Sequence, residues 1–88
     1  MTERACTIVN KLGMHARPAA LFVKTAEKFK AQIWVRKDDL EVNAKSIMGV
    51  MMLAAEPGSS LVVRASGPDE TDALAAISQL IADKFHED

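Results

Sequence analysis

The hydrophobic period of this chain changes several times within 88 residues. Apolar residues alternate with a period of two in "RACTIV" (4–9), "QIWVRK" (32–37) and "SLVVRAS" (60–66). They recur at helical spacing in 16–28 and again in about 70–84. A chain built this way mixes strands with amphipathic helices, and each element has one face to bury. Cys6 and Ile8 share a strand face, as do Ile33 and Val35, and Leu61, Val63 and Ala65. In 16–28 the stripe is Ala19, Phe22, Val23, Ala26 and Phe29, with Pro18 in the first turn, where a missing N–H costs little. In the last helix the stripe is Ala73, Leu74, Ile77, Leu80 and Ile81, with Asp69 or Thr71 as the cap. Asp38-Asp39 reads as a turn into a short partner strand at 40–43, making a hairpin. Ser46 precedes a short apolar stretch, 47–54, predicted as a helix of about two turns although Gly49 and Val50 lie inside it.

The order is therefore βαββαβα. Four short alternating strands bury one sheet face and the helices cover it, giving a two-layer α/β fold of the α+β type. Residues 1–88 are expected to form a single small domain, with no room for a large substrate cavity. Trp34 and Arg36 should point to the uncovered face, opposite Ile33 and Val35.

Composition narrows the function classes. Eleven basic and 12 acidic residues leave a net charge of −1, so no basic excess points to nucleic acid or an anionic membrane. The longest apolar run, 47–55, is about half of what a bilayer-spanning helix requires. The opening "MTERACTIVN" has no apolar segment of signal-peptide length, so a soluble, cytoplasmic protein is expected. Cys6 is the only cysteine, which leaves no intramolecular disulfide. The two histidines, His15 and His86, lie at opposite ends of the chain and offer no metal-ligand spacing. No metal or cofactor is expected, and without a long apolar seam the default state is a monomer.

The stretch "GMHARPAA" (13–20) sets an imidazole and a guanidinium at the mouth of a helix. A helix N-terminus presents unpaired N–H groups and partial positive charge, which suit a phosphate. Arg17 adds a fork of donors for phosphate oxygens. A neutral His15 supplies a nucleophilic nitrogen, and Gly13 frees the loop that aims it. These parts make a histidine able to accept a phosphoryl group and hold it. On the residues alone, an ordinary loop histidine beside a helix start is the commoner arrangement.

Context changes that balance. "GMHARPAA" resembles the phosphorylation-site signature of the histidine-containing phosphocarrier proteins (the HPr family) of the bacterial phosphotransferase system. "NAKSIMGVMML" (43–53) resembles the regulatory serine segment of the same family, and the likeness runs over essentially the whole chain. The resemblance implies an open-faced β-sandwich, a four-stranded antiparallel sheet covered on one face by three helices. It implies that His15 takes phosphate on Nδ1 from phospho-enzyme I and passes it to an enzyme IIA, with Arg17 assisting. It implies that Ser46 is the target of an HPr kinase/phosphorylase, and that Ala20, Leu21 and Lys24 with Ile47, Met48 and Met51 form the docking patch for these partners. "NKLGMHARPA" and "ASGPDETDALAAI" are similar to the nitrogen-related branch (NPr). "NAKSIMGVM" is closer to carriers modified by the serine kinase.

Simpler readings stand beside these. Ser46 serves as a helix N-cap, worth about 1 kcal/mol, with no capping box because residue 49 is Gly. The methionines of 47–54 can be core, yet a two-turn helix buries only one stripe. Asp69, Glu70 and Asp72 read as a charged first helical turn, and His86 in "FHED" reads as part of a polar tail without a role. The domain is expected to be a phosphoryl-transfer intermediate rather than a stand-alone catalyst. The alternative function is a regulatory binding module whose phosphorylation state selects partners.

Overall fold

A computed structural model describes residues 1–87. The strands are β1 (Thr2–Thr7), β2 (Gln32–Lys37), β3 (Leu40–Asn43) and β4 (Ser60–Ser66). The helices are α1 (Ala16–Ala26), α2 (Ile47–Met52) and α3 (Glu70–Ala82). A 3-10 turn, Lys84–His86, follows α3. The strands form one antiparallel sheet in the order β1-β4-β2-β3. This is the expected open-faced sandwich.

The sheet order follows from the sequence pattern. β2 and β4 carry the cleanest alternation and take the two central places, where Ile33, Val35, Leu61, Val63 and Ala65 are buried under the helices. Phe22 and Val23 of α1, Val50 of α2, and Leu74, Ile77 and Ile81 of α3 complete the core. Six such aliphatic and aromatic side chains contribute on the order of 1.5–3 kcal/mol each on burial. β1 begins at Thr2, two residues ahead of the expected stretch, because residues from Thr2 onward pair in register with β4, Thr2 opposite Ala65. Cys6, expected on the core face, is half-buried on this edge strand, its Sγ 3.7 Å from the Ser78 hydroxyl.

α1 stops at Ala26 because the N–H groups of Lys28 and Phe29 turn back to the carbonyls of Thr25 and Ala26, tightening the end. Phe29 still packs on the core from beyond the helix. Asp69 departs from the expected capping role. Its carboxylate makes no bond to its own helix and instead accepts the N–H groups of Lys30 (2.9 Å) and Ala31 (2.8 Å), pinning the α1–β2 connection. The Lys30 N–H in particular holds the Asp69 carboxyl below its ordinary value. On the uncovered sheet face, the Arg64 guanidinium lies 4.5 Å from the Trp34 ring centroid and donates to Glu41 at 2.9 Å. The outward indole is thus covered by a cross-strand neighbour.

Candidate phosphoryl-transfer site

The loop before α1 is tied down at each residue that aims His15. Met14 is buried and its N–H donates to the Ala55 carbonyl at 2.8 Å. Gly13 has φ +72°, and a Cβ there would lie 2.5 Å from the same Ala55 oxygen. Only glycine fits both constraints. His15 takes the N-cap position in an extended conformation, and its carbonyl accepts the Ala19 N–H at 3.0 Å. Pro18 removes one donor from the first turn, leaving the N–H groups of Ala16 and Arg17 at the helix mouth. Arg17 is exposed and has no ion-pair partner among the described residues.

The remaining part of the site comes from the other end of the chain. The Glu87 carboxylate lies 2.9 Å from His15 Nε2 through Oε2. Its Oε1 accepts from the Asn10 side-chain amide at 3.0 Å. The same amide nitrogen donates to the Gly13 carbonyl at 2.7 Å. Both of its partners are acceptors, which fixes the Asn10 amide orientation. A carboxylate only accepts, so Nε2 carries the proton and the lone pair of the neutral ring sits on Nδ1. Among the described residues, Nδ1 has no hydrogen-bond partner.

Glu87 reaches this place because the chain turns sharply after α3. Lys84, Phe85 and His86 all have left-handed backbones, with φ of 58°, 56° and 61°. That turn drives Phe85 into the core and swings Glu87 to the start of α1. "FHED", expected to be an inert polar tail, thus supplies a buried aromatic anchor and the imidazole's partner. His86 is exposed, and with Lys11, Leu12, Arg17 and Glu87 it lines an open groove of about 420 Å³ beside His15. The signal that could have shown this was Phe85, an isolated aromatic beyond the helical stripe.

The second motif lies on α2, which packs on α1. Ser46 caps this helix, its Oγ accepting the Gly49 N–H at 3.1 Å. Val50 is the one buried residue of α2, while Ile47, Met48, Met51 and Met52 stay exposed, Met48 at 74%. Ala20 and Lys24 of α1 are exposed and Leu21 is half-buried. Met52, which the sequence allowed as core, is exposed, and so is Leu12, an apolar residue that the sequence reading did not single out.

A nucleophilic ring nitrogen at a positive helix end, beside an open groove on an open-faced sandwich, suits a protein that holds a group in transit. The fold is that of a small phosphocarrier domain. The family model for the PTS HPr component phosphorylation site matches residues 2–83. Phosphocarrier protein HPr of Neisseria meningitidis serogroup A is 46% identical over 87 residues, covering 99% of this chain and 98% of that protein. The crystal structure of HPr-C-His from Thermoanaerobacter tengcongensis has a TM-score of 0.96 and 53% identity, covering 100% of this chain and 99% of that one. An HPr dimer from the same organism matches with a TM-score of 0.80 and 54% identity, covering 99% and 100%. The chain belongs to the HPr family of phosphocarriers of the phosphotransferase system.

Proposed function

We propose that His15 is the phosphoryl acceptor, taking the group on Nδ1 from phospho-enzyme I and delivering it to an enzyme IIA. The observation that carries this reading is the pairing of Nε2 with Glu87, which leaves Nδ1 as the free nucleophile. In the transfer, the Nδ1 lone pair forms the N–P bond as the donor's bond to phosphorus breaks. The Arg17 guanidinium and the N–H groups of Ala16 and Arg17 neutralise charge on the phosphoryl oxygens. The reaction needs no deep pocket, because each partner brings its own half of the site. A regulatory module that only binds partners has no use for an unpaired nucleophilic nitrogen, so the carrier role is favoured.

The same proposal extends to partners and control. Ile47, Met48 and Met51, with Ala20, Leu21 and Lys24, form the docking surface. Methionines suit a surface that repacks against more than one partner. A phosphate on Ser46 brings about two negative charges to the edge of that apolar surface and weakens docking on enzyme I. A serine kinase/phosphorylase is the enzyme class for that step. "NKLGMHARPA" and "ASGPDETDALAAI" give the chain features of the nitrogen-related branch and "NAKSIMGVM" those of carriers modified by the serine kinase, and we place it in the cytoplasm, acting as a single monomeric domain. Sedimentation over a range of concentrations tests the monomer against the dimer known for the Thermoanaerobacter protein.

The deciding experiment supplies labelled phosphoenolpyruvate and enzyme I from the sugar or the nitrogen branch to this protein and to His15→Ala. Acid-labile label on the wild type alone is the expected result, and the enzyme I that labels it faster identifies the branch. Equal labelling of folded His15→Ala refutes the acceptor assignment.

A further inference from the structure

We propose that Met48, Met51 and Met52 form an oxidation site, where peroxide converts the thioethers to sulfoxides and blocks docking of phospho-enzyme I without unfolding the domain. This rests on the reading that the outer face of α2 is a docking surface.

Sulfur is unevenly placed in this chain. There are five methionines, and three of them fall within the six residues of α2. Met51 and Met52 lie three and four positions after Met48, so the three side chains leave the helix on one side. They are 74%, 44% and 66% exposed. A thioether does not ionise, so access to solvent governs where oxidant attacks. Met14, directly before His15, is only 5% exposed, and its N–H is held by the Ala55 carbonyl. Met1 is exposed but sits on the uncovered sheet face, its Sδ 3.4 Å from Arg64 Nη1. Peroxide therefore reaches the surface beside the phosphoryl site and spares the loop that aims the imidazole. α2 itself is anchored by Val50, its one buried residue, and by the Ser46 cap. Neither contains sulfur, so oxidation of the outer face leaves the helix in place.

The chemistry is a two-electron oxygen transfer. A sulfur lone pair attacks one oxygen of hydrogen peroxide, and the S–O bond forms as the O–O bond breaks. The sulfur is oxidised and the peroxide reduced. The proton of the transferred oxygen joins the departing hydroxide, which leaves as water. The product is a polar, chiral sulfoxide in place of a flexible apolar side chain. A partner closing over this surface would bury the new oxygen without a donor, which weakens docking about tenfold. Methionine sulfoxide reductases, one for each epimer, restore the thioether. The site makes phosphoryl transfer responsive to oxidant by a route separate from Ser46.

The test uses the whole protein, isotope-labelled in its methionine methyl groups and treated with hydrogen peroxide. Peptide mass spectra locate the added oxygens, and phosphorylation by enzyme I gives the KM for the carrier. Met48, Met51 and Met52 should each gain one oxygen while Met14 gains none. The KM should rise about tenfold with the melting temperature unchanged, and reductase treatment should restore it. The triple variant Met48→Leu, Met51→Leu, Met52→Leu should show no rise relative to its own untreated KM, although Met1 and the free thiol of Cys6 remain. A rise that persists in the triple variant assigns the effect to other residues and overturns the proposal. Complete oxidation of α2 with an unchanged KM also overturns it, and leaves the docking surface intact if the α2 methyl signals shift on adding enzyme I. Methyl signals of α2 that stay fixed on adding enzyme I overturn the docking reading and this inference together.

Discussion

Truncating Phe85 to alanine separates the turn after α3 from the rest of the fold. Three consecutive left-handed residues, Lys84, Phe85 and His86, cost about 1–2 kcal/mol each, so roughly 3–6 kcal/mol in total. Against this stand the burial of Phe85, worth about 3 kcal/mol, and the hydrogen bonds from Asn10 and His15 to Glu87, worth roughly 1.5–3 kcal/mol each. At the midpoints of these ranges the turn is docked by about 3 kcal/mol. Phe→Ala at a buried site removes about 3–5 kcal/mol, more than that margin. The turn should let go before the sheet and helices unfold, which limits the global loss to about the margin itself. For a domain of this size that is a fall in Tm of about 10–20 °C. Circular dichroism melts measure the stability, and the His15 ring resonances report the Glu87 contact. Phe85→Ala should give ring spectra matching those of Glu87→Ala. A Phe85→Ala protein that keeps the wild-type ring resonances would refute the claim that this side chain delivers Glu87.

Further substitutions probe the other supports of the site. Ser46→Ala removes the cap on α2 and should lower stability by about 1 kcal/mol in urea titrations, whereas Ser46→Asp keeps an acceptor for the Gly49 N–H and should lose little. Gly13→Ala combines a left-handed backbone with a Cβ directed at the Ala55 carbonyl, and should cost about 2–4 kcal/mol by chemical denaturation. The Asp69 carboxyl is held low in the folded state, first by the Lys30 N–H, so its stabilisation is present above its unfolded value of 3.8 and disappears as pH falls through the lower folded value. Denaturation midpoints between pH 5 and pH 2 should therefore fall more steeply for the wild type than for Asp69→Asn. Parallel curves would remove Asp69 as the cause.

Local pattern carried much of this structure. β2, β3 and β4 run over the expected stretches, because strong alternation or a tight two-residue turn sets their limits locally. The buried stripes of α1 and α3 follow the 3.6-residue period. The place of His15 at a helix start was legible from Gly13 and Pro18, and the cap of α2 from Ser46. Helix ends were less so. Whether α1 stops at Ala26 or continues depends on how Phe29 packs, which is a tertiary matter.

What the sequence by itself determined was therefore the element order, the buried faces and the chemical character of "GMHARPAA", all properties of residues close together in the chain. Tertiary structure alone decided that Asp69 binds the backbone of the α1–β2 connection rather than its own helix. It alone decided that Glu87 meets His15. Glycine and asparagine are the usual local markers of a left-handed turn, and Lys84, Phe85 and His86 are none of these. The conformation exists because the core takes in Phe85 and because Asn10 and His15 donate to Glu87 across 77 and 72 positions of sequence. Contacts of that separation have no local signature, since they form only once the sheet has brought the two ends of the chain together.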